Sequence, residues 1–178
     1  TVYGSLFALD RRMIERGGLI LHCAYIEYHG KGILFSAPSG VGKSTQAALW
    51  EKYRNSVTVN GDRALLRKKE GKWLACAWPV CGSSQICKRV DVPVHAIVML
   101  CQGKKNSVMR LSPIEAFRQL YPQVTVNQWN PEFVQAAING IEDLILQVPV
   151  WQLICDISEE AVQCLENVLF PNDTAKVR

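Results

Sequence analysis

The apolar positions of this chain change rhythm several times. From residue 5 to residue 16, Leu6, Leu9, Met13 and Ile14 fall on one helical face, and Gly17-Gly18 ends the segment. Residues 19–28 then read as a strand, His29-Gly30-Lys31 as a turn, and residues 32–36 as a short apolar strand running into a glycine-rich loop. After the loop, residues 44–53 read as a helix and residues 56–59 as a strand ending in Asn60-Gly61-Asp62-Arg63. The order up to here is two strands, loop, helix, strand.

Beyond Arg63 the alternation breaks. Residues 64–68 and 73–78 are strand-like around the turn Lys69-Glu70-Gly71-Lys72, which predicts a hairpin. Residues 94–101 form another apolar strand, with residues 107–111 as a partner. Three helix starts follow: Ser112-Pro113-Ile114-Glu115 as a capping box, Asn130-Pro131-Glu132, and Ser158-Glu159-Glu160. Between the last two, residues 151–157 read as a strand.

The loop carries the chemistry. Ala37-Pro38-Ser39-Gly40-Val41-Gly42-Lys43-Ser44 follows the phosphate-loop pattern, with Ala37 in the place of the first glycine, where only a small residue is needed. Glycines let successive backbone N–H groups curl around a phosphate, and the helix that follows points its positive end at the same anion. Residues 37–45 are therefore expected to hold nucleotide phosphates through Ser39, Gly40, Val41, Gly42, Lys43, Ser44 and Thr45. The nucleotide expected is Mg-ATP. Lys43 supplies a mobile charge for the outer phosphates, and the Ser44 hydroxyl is a Mg²⁺ ligand. A second, carboxylate ligand is required at the end of a neighbouring strand, and Asp62 is the candidate, with Arg63 beside it to neutralise a transferring phosphoryl group. The lesser alternative is that Asn60-Gly61-Asp62 is a plain turn.

Composition adds limits. The chain has 178 residues, of which 48% are hydrophobic, enough for one sizeable core, so residues 1–178 are expected to form a single unit. It begins with Thr1 inside a helical pattern, which suggests a piece cut from something longer. No apolar run is long enough to cross a bilayer and no signal peptide is recognisable, so a cytoplasmic location and no membrane partner are expected. The seven cysteines show no paired C-x-x-C spacing and are expected to be reduced and mostly buried. A net charge of +4 and the cluster Arg67-Lys68-Lys69 do not require nucleic acid, because a solvated turn explains the cluster. His29 and His95 are taken as structural or exposed, and the five tryptophans as core or groove residues. Cys81 lacks an assignable activating base and is not expected to act as a nucleophile. The polar segment 79–85 is either a loop or a set of donors for a substrate anion.

Over residues 19–67 the chain resembles the HPr kinase/phosphorylase family and its PEP-carboxykinase-like relatives. His22 before the loop, Gly30, Gly32 and Ile33-Leu34 stand at that family's spacing from Lys43, and Gly61-Asp62-Arg63 corresponds to its Asp-Asp-Arg stretch. The resemblance implies an α/β fold of the P-loop-containing, PEP-carboxykinase/HPr-kinase-like kind, a mixed sheet with flanking helices. It implies ATP and Mg²⁺ as cofactors, phosphate and metal binding by Lys43 and Ser44, a metal or phosphate role for Asp62, and a catalytic group of Lys43, Asp62, Arg63 and His22. His22 either orients a phosphate or is a satisfied core histidine. The partners implied are a nucleotide and a protein or small-molecule phosphoacceptor, with a homo-oligomer left open. Two departures weigh against serine phosphorylation: Gly61 replaces the family's first aspartate, its base, and Pro38 replaces an acidic loop residue. The family's Arg-Gly segment has no counterpart, and residues 78–84 occupy its region. The alternatives are a small-molecule P-loop kinase, which would need an arginine-bearing lid where this chain predicts a hairpin, and a non-catalytic nucleotide-binding regulatory module.

Overall fold

The fold was analysed in a computed structural model that describes residues 9–82 and 84–171. In chain order the elements are α1 (Leu9–Ile14), β1 (Leu19–Tyr28), β2 (Lys31–Ser36), α2 (Lys43–Arg54), β3 (Val57–Asn60), β4 (Arg63–Lys69) and β5 (Lys72–Cys76). They continue with β6 (Val92–Gln102), β7 (Ser107–Arg110), α3 (Pro113–Leu120), α4 (Pro131–Gln147), β8 (Val150–Cys155) and α5 (Glu159–Leu169). The first positions of the helix expected over residues 5–16 lie outside the described residues, as does Ser83 of the segment 79–85.

The strands join in one mixed sheet of eight, in the order β2-β1-β4-β5-β6-β8-β7, with β3 also paired to β1. β6 is parallel to β2 and to β8, so three strand C-termini lie side by side. The pairing of β2 with β6 also closes a circuit through β1, β4 and β5. Two strands make this possible because each changes partner along its length. β1 pairs β4 through residues 19–22 and β2 through residues 23–28. β6 meets β5 at Val92 and Pro93 and then passes between β2 and β8.

Helices cover both faces. Ile33 and Phe35 pack with Trp50 of α2 and Leu165 of α5, while Leu34 between them packs with Leu120 of α3 and Ile141 of α4. Alternate side chains of a strand point to opposite faces, so a β2 that is apolar at every central position needs both coverings. The hairpins turn where the sequence predicts: His29-Gly30 and Glu70-Gly71 all have positive φ, the conformation of a two-residue type I′ turn. All three predicted helix caps form, with Ser112 and Glu115 completing a reciprocal capping box.

The cysteine expectation needs correction. Cys81 and Cys87 are joined in a disulfide, with their Cα atoms 5.4 Å apart. Tertiary contacts bring them together: Asn60 bonds the carbonyls of Trp78 and Val80 on one limb of the loop and bridges Cys87 on the other. Of the five free thiols, Cys23, Cys76 and Cys155 are buried, Cys164 is half-buried and Cys101 is exposed.

Candidate functional site

The glycine-rich loop leaves β2 at Ser36 and enters α2 at Lys43, with β1 on one side of its parent strand and β6 on the other. Gly40 (φ 84°) and Gly42 (φ 122°) occupy the left-handed half of backbone space that side chains avoid. Ala37 does not, which is why alanine serves where the motif has glycine; it is buried against the core. Among the described residues, no protein acceptor takes the backbone N–H groups of residues 39–45, and Gly42 gives α2 no side-chain cap. A helix start must satisfy such donors through a cap, water or a ligand. Lys43 lies in the same concavity. Its Nζ donates to Ala37 O at 2.9 Å and Pro38 O at 3.2 Å, and only 8% of the residue is exposed. Burial lowers its pKa, while the neighbouring Asp62 carboxylate pulls the other way.

On the β1 side stands a charged cluster. β3 and β4 pair with successive parts of β1, Tyr25 opposite Asn60 and His22 opposite Arg63, with a register shift in β3 beyond Tyr25, and Gly61-Asp62 forms the break between them. Asn60 shapes that break. Fully buried, it accepts the N–H groups of Asp62 (2.8 Å) and Arg63 (3.0 Å) on Oδ1, and its amide nitrogen holds the two loop carbonyls already described. Asn60 thus ends β3, turns the chain through Gly61-Asp62 by its own side chain, and clamps the loop after β5. Asp62 O in turn accepts from the Cys23 N–H at 3.0 Å. The Asp62 carboxylate takes Arg63 Nε on Oδ2 at 3.1 Å, and Arg63 reaches on to Thr125 Oγ1 at 3.1 Å.

His22 faces the same carboxylate, with Nε2 3.8 Å from Asp62 Oδ1. Its Nδ1 lies 3.3 Å from Gln123 Oε1, to which the ring donates in the tautomer that carries its proton on Nδ1. Burial first, and then the charge of Lys43, lower the His22 pKa, so the neutral ring is favoured. The Cys23 thiol, wholly buried, is pushed far up and stays protonated.

The loop after β5 closes over this cluster. A Cβ on Gly82 would stand 2.6 Å from Asp62 Cβ, and one on Gly61 would run into Ser84 Oγ. Ser84 thus fills the space that a side chain at position 61 would need.

On the β6 side the loop borders a cavity of about 630 Å³, lined by Thr45, Gln46, Leu100, Lys104, Asp156 and Ile157 among others. Gln102 Nε2 ties the loop to β6 through Val41 O at 3.2 Å, and Gln46 Nε2 ties α2 to the end of β8 through Cys155 Sγ at 3.2 Å.

Lys43, His22, Asp62 and Arg63 therefore meet on one side of the loop, and Thr45 faces the cavity on the other. Ser39 and Ser44 are exposed at the loop surface. Sequence reasoning missed Asn60, Thr125, Gln123, Gln46 and Asp156, because each acts through partners at least two residues and up to about a hundred residues away. Asn60, the last residue of β3, and Asp156, between the end of β8 and the Ser158 cap, carried a local signal. His95 is structural, its Nε2 2.9 Å from Leu169 O. Trp50, Trp73 and Trp78 are core residues, whereas Trp129 is exposed beneath the Arg11 guanidinium. Among the described residues no three His, Cys, Asp or Glu side chains converge as a metal site, and no helix is long and apolar enough to cross a membrane.

Fold and site together describe a mixed α/β protein with a glycine-rich turn at the C-terminal ends of parallel strands. Residues 2–170 match the family model of the SynChlorMet cassette protein ScmC, and the chain belongs to that family. No curated protein matches it. A solved structure to which it is similar is the Hpr(Ser) kinase/phosphatase from Coxiella burnetii, 15% identical, covering 88% of this chain and 97% of that one, with a TM-score of 0.44.

Proposed function

We propose that this chain binds Mg-ATP on residues 37–45 and transfers its γ-phosphoryl group to an acceptor presented beside Asp62, as an ATP-dependent phosphotransferase of the HPr-kinase-like kind. One observation carries the reading: a run of N–H groups that meet no protein acceptor among the described residues, at the head of a twelve-residue helix, lies beside the buried Lys43. Such a concavity favours an anion, through backbone donors and the helix dipole together.

The donors fit the nucleotide and the metal. Lys43 exchanges two loop carbonyls for phosphate oxygens. The Ser44 hydroxyl and the Asp62 carboxylate supply hard oxygen ligands of the type Mg²⁺ takes, the rest coming from phosphate and water. When bound, the metal spreads the charge of the outer phosphates. Asp62 Oδ1 accepts no hydrogen bond among the described residues, and the neutral His22 beside it leaves that oxygen free. Arg63, fixed by Thr125, directs its charge at the same place and stabilises the transferring group. Catalysis on this reading is positioning plus electrostatics, in one folded unit, with a protein or small-molecule phosphoacceptor.

The filled space at Gly61 supports a second reading, a nucleotide-binding regulatory module, because Ser84 stands where a second carboxylate would be needed. A turnover assay with Mg-ATP across peptide and small-molecule acceptors separates the two. ADP formation supports the transferase, and stoichiometric ATP retention without ADP supports the module. In either case Lys43→Ala should weaken ATP binding at least about a hundredfold by calorimetry. Normal ATP affinity in that variant would sink both.

A further inference from the structure

On the sheet face away from α2, a groove of about 620 Å³ runs between α3 and α4. Phe117 and Ile145, both half-buried, give it an apolar lining. Each helix adds a large apolar side chain that stands in solvent: Ile114 on α3, 68% exposed, and Leu146 on α4, 78% exposed. Single surface leucines and isoleucines are ordinary, but two bordering one apolar groove mark a surface made for contact.

The first turn of α3 lies against the last turn of α4, because Pro113 and Ala116 share a small cavity with Ile145 and Pro149. The two helices therefore run in opposite directions along the groove. Residues four apart sit one turn apart on the same helical face. Ile114 and Leu146 thus mark one end of the groove, and Arg118 and Glu142, one turn away on their respective helices, mark the other.

Those two charges are left over within the single chain. Both are exposed, and among the described residues neither forms an ion pair. Glu115, on the same helix as Arg118, feels its charge through space, but its carboxylate is bonded to Ser112 in the helix cap. Asp143, next to Glu142, is taken by Lys68 and Trp73.

A two-fold axis along the groove exchanges its two rims. It lays α3 of one copy on α4 of another, with Ile114 against Leu146 and Arg118 against Glu142, and makes each contact twice. Apolar meets apolar at one end, and each cation meets an anion at the other. The face is complementary to itself, as an isologous contact requires.

We infer that the face formed by α3 and α4 is the interface of a homodimer, with a second copy of this chain docked across the groove by that two-fold axis. The inference does not depend on nucleotide binding, since α2, which follows the glycine-rich loop, packs on the opposite face of the sheet.

Sedimentation equilibrium over about 1 to 100 µM chain tests it, and a species of twice the chain's mass is expected. Arg118→Glu and Glu142→Arg each set like charges face to face twice, so each should weaken the dimer at least about tenfold. Mixed together, the two variants should recover the unsubstituted affinity, because one copy then carries two acids and the other two bases. Leu146→Ser, at an exposed position, should also weaken the dimer and leave the melting temperature of the dilute chain unchanged, which separates lost docking from lost folding.

A chain that stays monomeric throughout overturns the inference, as does an oligomer other than a dimer. So does a dimer that survives both charge reversals and Leu146→Ser, since it then uses another face. If the two reversed variants weaken the dimer separately but fail to associate with each other, the charges do not meet across the interface and the inference falls as well.

Discussion

The two sides of the glycine-rich loop are built differently. On the β1 side, His22, Asp62 and Arg63 come from antiparallel strands locked together by Asn60, and their polar atoms are largely tied to Gln123, Thr125 and one another. On the β6 side, the ends of two parallel strands leave an open cavity with one carboxylate, Asp156, braced by Asn106 and Ser158, and an exposed Ile157. A network of mutually dependent hydrogen bonds fixes charges in place, which on the proposed transferase reading is what phosphoryl chemistry demands. An open, partly apolar cavity recognises a shape and a few polar atoms, as binding demands. On the proposed reading, turnover and binding should therefore respond separately to substitution.

Asp62→Ala should separate them most. On the transferase reading it removes turnover by at least about a hundredfold while much of the ATP affinity remains. Undiminished turnover would take Asp62 out of the site. Next comes Asn60→Ala, which leaves two N–H donors and two carbonyls without their partner in a buried position. It should cost about 3 kcal/mol of stability by chemical denaturation and lower turnover more than ATP affinity. A loss below about 1 kcal/mol would mean that water replaces the clamp. Gly61→Ala should cost about 1 to 3 kcal/mol, the range for overpacking, because the new methyl group meets Ser84. If stability is unchanged, the loop carrying Ser84 yields and does not guard Asp62.

The smallest effect concerns pH. His22 and His95 both have folded-state pKa values below the ordinary 6.5, each chiefly through burial. The unfolded chain then binds more protons between the lowered values and 6.5, so the stability these rings contribute is present above 6.5 and is lost as pH falls. The melting temperature should drop on acidification below 6.5, and His95→Gln should flatten part of that drop. A melting temperature that rises on acidification would contradict the assigned direction.

Much of the loop side was legible in the sequence. β1 has the expected bounds, 19–28, and α2 extends the helix read over 44–53 by one residue at each end, because apolar periodicity and glycine punctuation are local. The strand expected over residues 73–78 stops at Cys76: the Ala77 N–H turns to Asp91 Oδ1 at 3.0 Å, and the Trp78 carbonyl turns to Asn60. No local pattern announces such a change of partner. The same holds for the disulfide, whose six-residue spacing matches no motif until Asn60 folds the loop back on itself.

By itself, then, the sequence determined the elements, their caps and the glycine-rich turn with Lys43 at the head of a helix. These depend on side-chain period, φ preference and capping chemistry within a few residues of one another. Tertiary structure alone decided that β1 would serve two partners, that Asn60 would hold Asp62, that Ser84 would fill the space beside Gly61, and that Asp156 would face the loop across a cavity. Each of those depends on groups distant in sequence, brought together only when burial of the two apolar faces fixes the order of the strands.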